Sequence, residues 1–482
     1  MYHFSVPKIV LTLLFSICIA FVTAVIIPDT YVNMVILLVV LIIFGSIFTI
    51  VYTNIFWKHR SFLEKLLSIT LLTSFLGAGL FSYNIGPITL FPFRIFLFLF
   101  LFIVVVSLLK GTFTLKEKVY VQPIIWFFFL WFLYALISIS WSPAVGEGIK
   151  EIFYLFTGVS IVIFVVVTYD HVRNYVEFYW IWIIMSVVLI IIGAINHFLG
   201  YHLPISRIYT APITQKYIPT AVFVNENDYA SFLAISFFFL ISSIHRSRYV
   251  SVKILSIAFA FLAAYLLFVT SSRANYLAVM IGLFFWFLLF LNKKEKVKFL
   301  FSGTIFLGFV LFFLFEKIEK IFSLFMLQIS TLLTETRIAE ASVDIRMNLI
   351  KNAMHFIANT FGFGVGAGNV EYYMKNKGIY NTFSDYNMHN WWMEIFVQYG
   401  FFIFACYVII FLYLIVEIYK IYLRTQKSEV GKICEALFCG LLAFPLASIS
   451  PNSFMALTYN WVFIAFAVGF VNVYKKSVAG GK

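Results

Sequence analysis

"IFLFLFLFIVVVSLL", residues 95–109, carries no charge and no alternation of polar with apolar positions. A strand of a membrane barrel alternates lipid-facing and lumen-facing residues. An unbroken apolar run can satisfy its backbone in lipid only as a helix. Runs of this kind, near the roughly 20 residues that cross a bilayer, recur along the 482-residue chain. Hydrophobic residues make up 63% and charged residues 11%, against about 25% charged in soluble domains. The expected fold is all-α, a polytopic membrane helix bundle of about 12–14 spans.

Fourteen candidate spans are expected, at 9–27, 33–53, 66–83, 92–109, 120–140, 151–168, 176–198, 220–244, 253–270, 274–291, 299–315, 391–416, 433–449 and 455–474. The first reads as an uncleaved helix, since so many spans follow it. The net charge of +13 does not point to nucleic acid, because the basic residues gather in short loops such as "HRSRYVSVK" and "NKKEKVK". Alternate loops hold most of the lysines and arginines, as the positive-inside rule requires when both termini are cytoplasmic. The four cysteines fall in or beside apolar runs and match no zinc or disulfide framework.

The chain then divides into spans over 1–315, a large extracytoplasmic loop over 316–390, and spans with a cytoplasmic tail over 391–482. A loop of this length is functional or disordered, and this one carries helical patterns. Residues 317–335 read as an amphipathic helix on the membrane. Residues 340–359 place Val343, Met347, Ile350, Met354 and Ile357 in a helical stripe. "TFGFGVGAGNV" (360–370) then breaks the helix with four glycines. It follows no strand and lacks the Lys and Ser/Thr of a P-loop.

Polar groups at the outer ends of spans are the candidate site. "SSRAN" sets Arg273 at a junction of two helices, where it either snorkels to headgroups or binds an anion. "NENDY" sets Asn225, Glu226, Asn227 and Asp228 at the start of a span, where N-capping competes with ligand recognition. Arg94 lies near an outer helix end and can snorkel equally well. Arg346 sits on the loop helix with Arg337 and Lys351 nearby, a face that is either solvated or anion-binding. "SDYNMHNWWMEIFVQYG" (384–400) puts His389 and Asn390 immediately before a span, with Trp391 and Trp392 as expected interface anchors. A neutral histidine there is either idle or a base. An Asp/Glu metal cluster is not evident there, although Glu226, Asp228 and Asp385 could be arranged as one in space.

In order, "NENDYASFLAIS", "SSRANYLAVMIG", "RMNLIKNAMHFIANTFGFGVGAGN" and "HNWWMEIFVQYGFFIFACYVIIF" resemble the O-antigen ligase and polymerase family of bacterial envelope glycosyltransferases. The resemblance covers roughly 220–420. Before that, the chain is similar only as a hydrophobic bundle with a "GPITLFPFR" element, and the bulky Trp391-Trp392 pair departs from the smaller residues usual there. The resemblance implies a GT-C-like, metal-independent, inverting enzyme without a cofactor, at the outer face of the bacterial cytoplasmic membrane. Its donor would be a polyprenyl-pyrophosphate-linked oligosaccharide, and a flippase and a chain-length regulator would be candidate partners. Arg273 and Arg346 would hold the pyrophosphate and His389 would meet the acceptor hydroxyl. Asn227 and Asn390 would support them, with Arg337 and Lys351 as further binding residues. A polymer of capsule, teichuronic or O-antigen type is expected, made by a polymerase. A ligase is the alternative, and a lipid-linked glycan transporter is the rival from another class.

Overall fold

The computed structural model describes residues 57, 60–79, 82–85, 88–111, 119–301, 303–304, 337–426, 428–451 and 454–480. The expected spans 9–27 and 33–53, most of 299–315, and the expected surface helix 317–335 lie outside them. Ten of the described helices are long and apolar enough to cross a membrane. The protein is a polytopic helical membrane protein.

The chain runs through α1 (Phe62–Ser74), a hairpin of β1 (Tyr83–Ile85) and β2 (Ile88–Leu90), α2 (Pro92–Leu109), α3 (Gln122–Ser138) and α4 (Val145–Thr168). It continues through α5 (Val172–Leu199), α6 (Glu226–Arg246), α7 (Val250–Val269) and α8 (Arg273–Phe290). After α9 (Arg337–Asn359) and α10 (Val370–Lys377) come α11 (Trp391–Thr425), α12 (Glu429–Ala447) and α13 (Thr458–Gly480). The "GPITLFPFR" element thus supplies β2, which pairs antiparallel with β1, and the start of α2. The expected span 66–83 is shorter than its apolar run suggests. α1 opens on a Ser61–Glu64 capping box and stops at Ser74, where Thr458 donates its hydroxyl to the Ser74 carbonyl.

α6 and α12 form the enclosed centre of the bundle, whereas α2 and α8 expose most of their length. Exposed Phe102, Leu109, Phe284 and Ile409 face outward, as lipid contact requires. Buried serines on α6 bond to neighbouring helices: Ser236 accepts from the Trp182 indole at 3.1 Å, and Ser242 lies 2.8 Å from the Tyr179 hydroxyl.

Spans joined by short loops alternate in direction, so one end of the bundle collects the starts of α2, α4, α6, α8, α11 and α13. The opposite end holds the most deeply buried ion pairs. There Arg60 meets Glu177 at 2.6 Å, and Glu435 receives Arg246 and His245 at 2.8 Å each. Charges beside lipid persist when paired. All the candidate site residues lie at the first end.

α9 keeps Ile357 and Ile350 of the expected stripe against its core and turns the methionines away, while the Val343 side chain lies outside the described residues. Leu349, Ala353 and Phe356 are buried, while Met347 and Met354 are exposed. Asn352 sets this rotation: its side chain is fully buried, accepting from the Ile379 and Tyr380 amides at 2.9 Å and donating to the Tyr380 carbonyl at 2.9 Å. Polar groups out of water must be satisfied, so the helix turns its asparagine inward and its methionines out. The buried face joins Val365, Val370, Met374, Met388 and Val397 in a small core of its own. The segment between Arg337 and Asn390 is therefore folded onto the bundle.

Candidate functional site

The site is assembled by a break in α11. Gly400 adopts φ 78° inside that helix, which interrupts the i→i−4 ladder and releases the carbonyls of the preceding turn. The glycine-rich turn takes them. Val365 donates to the Val397 carbonyl at 2.8 Å, Gly366 to Gln398 at 3.0 Å, and Phe401 to Gly362 at 2.9 Å. Gly362, Gly364, Gly366 and Gly368 all have positive φ, so the turn zigzags flat against the helix. A Cβ on Gly364 would stand 2.6 Å from the Gln398 carbonyl oxygen. Only a glycine-rich chain approaches this closely.

Replacing Gly364 with Val should therefore undock the turn from α11. We expect a loss of about 2–4 kcal/mol of stability from strain plus unpaired carbonyls. Thermal unfolding in detergent checks this, and an unchanged midpoint would contradict it.

The turn is fixed from its other side by the α3–α4 corner. Ser138 accepts from the Ala367 amide at 3.0 Å, and the Asn369 side chain accepts from the Ala144 amide at 2.8 Å. Gln398 joins the parts: its oxygen accepts from the Gly368 amide at 2.7 Å. Its nitrogen donates to Glu151 and to Glu394 at 3.2 Å each. Glu151, on α4, and Glu371, on α10, thus stand with Glu394 around the base of the site. These three carboxylates are absent from the set expected from the sequence. Glu394 alone had a signal, as the glutamate following His-Asn.

His389 sits above them. Its φ is +47°, a left-handed conformation that histidine tolerates better than most residues. Its amide donates to the Asn387 side chain at 2.9 Å, and its Nε2 lies 3.4 Å from Asp385 Oδ1. Burial lowers its pKa below the usual value and the nearby Arg346 lowers it further, while Asp385 and Glu371 oppose the shift. The imidazole is therefore neutral at pH 7, the form that accepts a proton.

Asn390 is the N-cap of α11, its oxygen accepting from the Trp392 and Met393 amides at 3.2 Å each. The two tryptophans are not interface anchors. Trp391 is almost fully buried, with its indole donating to the Tyr407 hydroxyl at 3.0 Å beside Trp131 and Trp461. Trp392 is half-buried and donates to Ser448 Oγ at 3.0 Å. Their hydrogen bonds lie inside the bundle, so the rings follow them.

Arg346 is exposed on α9 and within electrostatic reach of His389. Arg273 is exposed at the start of α8. Contacts of nearby residues lie between its segment and that of His389. Ser272 lies 3.2 Å from Ser450, Asn275 bridges both, and the neighbouring Ser448 carbonyl accepts from the Trp391 amide at 3.0 Å. Neither arginine has a carboxylate partner among the described residues.

The other expected residues stand farther off. Lys351 lies over the Tyr380 ring at 5.4 Å, on a different face of α9 from Arg346 because five residues turn a helix by roughly 140°. Arg337 begins α9. Asn227 is half-buried in the first turn of α6. Its neighbour Asn225 is the cap, accepting from the Asp228 amide at 2.9 Å. Of the acidic residues considered for a metal, Glu226 pairs with Arg207 and Asp385 with His389. Arg94 does not snorkel: it is buried among Phe91, Phe153 and Tyr154 and donates to the Thr89 carbonyl.

A family model described as O-antigen ligase matches residues 258–408, the stretch from α7 to the middle of α11 that holds Arg273, Arg346 and His389. The chain is also 32% identical over 424 residues to the teichuronic acid biosynthesis protein TuaE of Bacillus subtilis (strain 168), covering 87% of this chain and 86% of the relative. The bundle, the folded segment docked against a broken helix, and these two likenesses agree: the chain belongs to the O-antigen ligase family of membrane proteins that act in cell-envelope polysaccharide biosynthesis.

Proposed function

We propose that this protein is a polymerase that joins polyprenyl-pyrophosphate-linked oligosaccharide units at the outer face of the bacterial cytoplasmic membrane. The observation that carries this reading is that Arg346, without a carboxylate partner among the described residues, acts electrostatically on His389 just before the start of a span. A sugar carried on pyrophosphate brings its own leaving group. The protein must supply positive charge for the departing phosphates, which arginine's planar fork meets in bidentate fashion. It must also take the acceptor's proton as the oxygen attacks. Inversion follows if that oxygen approaches opposite the pyrophosphate. No metal ion or cofactor has a role in this scheme.

The loops at the far end of the bundle carry the basic excess, which supports a cytoplasmic assignment for that end and for the termini. The site then faces outward, where a flippase would deliver the donor and a chain-length regulator would act on the product. The relative's name refers to an acidic polymer, and an anionic glycan suits two arginines that have no carboxylate partner among the described residues. Ligation of the finished chain to another acceptor is the second reading, favoured by the description of the matching family.

Purified protein in nanodiscs, given a polyprenyl-pyrophosphate oligosaccharide alone, is the test. We expect a ladder of longer lipid-linked products on a gel. A single product formed only when a different acceptor is added would establish the ligase reading. No new glycosidic bond with any acceptor would move the assignment to transport.

A further inference from the structure

The segment before α11 is a sequence of side-chain-to-backbone clasps ending on His389. The Asp385 amide donates to the Thr382 carbonyl at 2.9 Å. Asp385 Oδ1 accepts from the Asn387 amide at 3.3 Å, and Asn387 Oδ1 accepts from the His389 amide at 2.9 Å. Asn387 also donates from its side chain to Glu371 Oε1 at 3.1 Å, tying the segment to α10. Met388 is buried in the small core under α9. A single histidine is thus held in a left-handed conformation by two successive Asx turns and a buried neighbour.

The clasp also commits one ring nitrogen. Nε2 faces Asp385 Oδ1 at 3.4 Å, and Nδ1 has no partner among the described residues. Hydrogen bonds of this kind are often long in unliganded sites and tighten with substrate. We infer that Asp385 is a positioning residue for the transfer reaction: its carboxylate accepts the Nε2 proton of His389, which leaves the Nδ1 lone pair for the acceptor hydroxyl.

The inference rests on the proposed role of His389 as base. In the step, the acceptor oxygen bonds to the anomeric carbon and its proton passes to Nδ1. The bond from the anomeric carbon to the pyrophosphate oxygen breaks, and the pyrophosphate leaves with the electron pair. The imidazolium so formed faces Asp385 on its own segment and Glu371 on α10, both of which favour it, and Arg346 on α9, which does not.

Asp385→Asn is the informative variant, because its amide oxygen still accepts from the Asn387 amide and keeps the turn, while the charge is gone. Initial rates are measured in nanodiscs with the polyprenyl-pyrophosphate oligosaccharide as probe, from pH 5 to pH 9. We expect kcat to fall roughly tenfold to a hundredfold, less than for loss of the base itself, with KM for the donor unchanged. Removing a negative charge that raises the histidine's pKa moves the acid limb of the profile to lower pH. Asp385→Glu should recover part of the rate and of the limb's position. A wild-type rate and limb in Asp385→Asn, or a lower rate with the limb unmoved, overturns the inference. His389→Ala run in parallel separates the two ideas. If it is inactive while Asp385→Asn is normal, only the positioning role fails, whereas full activity in His389→Ala removes the base itself.

Discussion

We expect His389→Ala to lower the transfer rate by about 10²–10⁴-fold at pH 7, the range that a positioned general base contributes. The fold should survive, because among the described residues the side chain has only Asp385 within hydrogen-bonding or ion-pairing reach, and it stays partly exposed. The backbone needs a control, since the residue sits at φ +47°. Asparagine tolerates that conformation well and offers no base, so His389→Asn should be as inactive as Ala with an unchanged unfolding midpoint. Rates within twofold of wild type in either variant would remove His389 from the chemistry. Because burial and Arg346 lower its pKa, the wild-type acid limb should lie below the ordinary histidine value of about 6.5. The base form then predominates at neutral pH and is lost as pH falls through that limb.

Arg346→Ala should have the second largest effect, a fall of about 10²–10³-fold in kcat. This is the scale seen when one preorganised donor to developing negative charge is removed. Arg346→Lys should recover only part of it, since a point charge cannot reproduce a bidentate fork. The arginine is exposed on α9 and outside the small core, so stability should move little. A second signature distinguishes this from a loss of folding. Arg346 lowers the pKa of His389, so its removal should move the acid limb to higher pH, opposite to the direction expected for Asp385→Asn. A rate unchanged by Arg346→Ala, or a limb that stays in place, would place the arginine outside the reacting centre.

The two pH shifts together test whether the titrating group lies near both Asp385 and Arg346. Removing an anion lowers, and removing a cation raises, the pKa of any group close to both, so His389 is identified by the loss of that limb from the residual activity of His389→Asn.

Much of this protein is decided locally. Apolar runs that no aqueous fold can bury make helices in lipid, whatever their neighbours, because the backbone has no other partner there. That reasoning reaches the bundle, the helical segment 340–359, the glycine break after it and the choice of Arg273, Arg346 and His389 as candidate site residues. Tertiary structure alone decided which of these groups meet. α9 is apolar on more than one side, and its rotation was settled by buried Asn352. The tryptophans after His389 could serve lipid or core equally, and Tyr407 and Ser448 settled it. Glu151 and Glu371 are distant in sequence from the histidine and carry no local pattern. They join its surroundings because the turn at Gly364 fits against the break at Gly400, and a contact between two backbones leaves no periodicity in a single chain to be read.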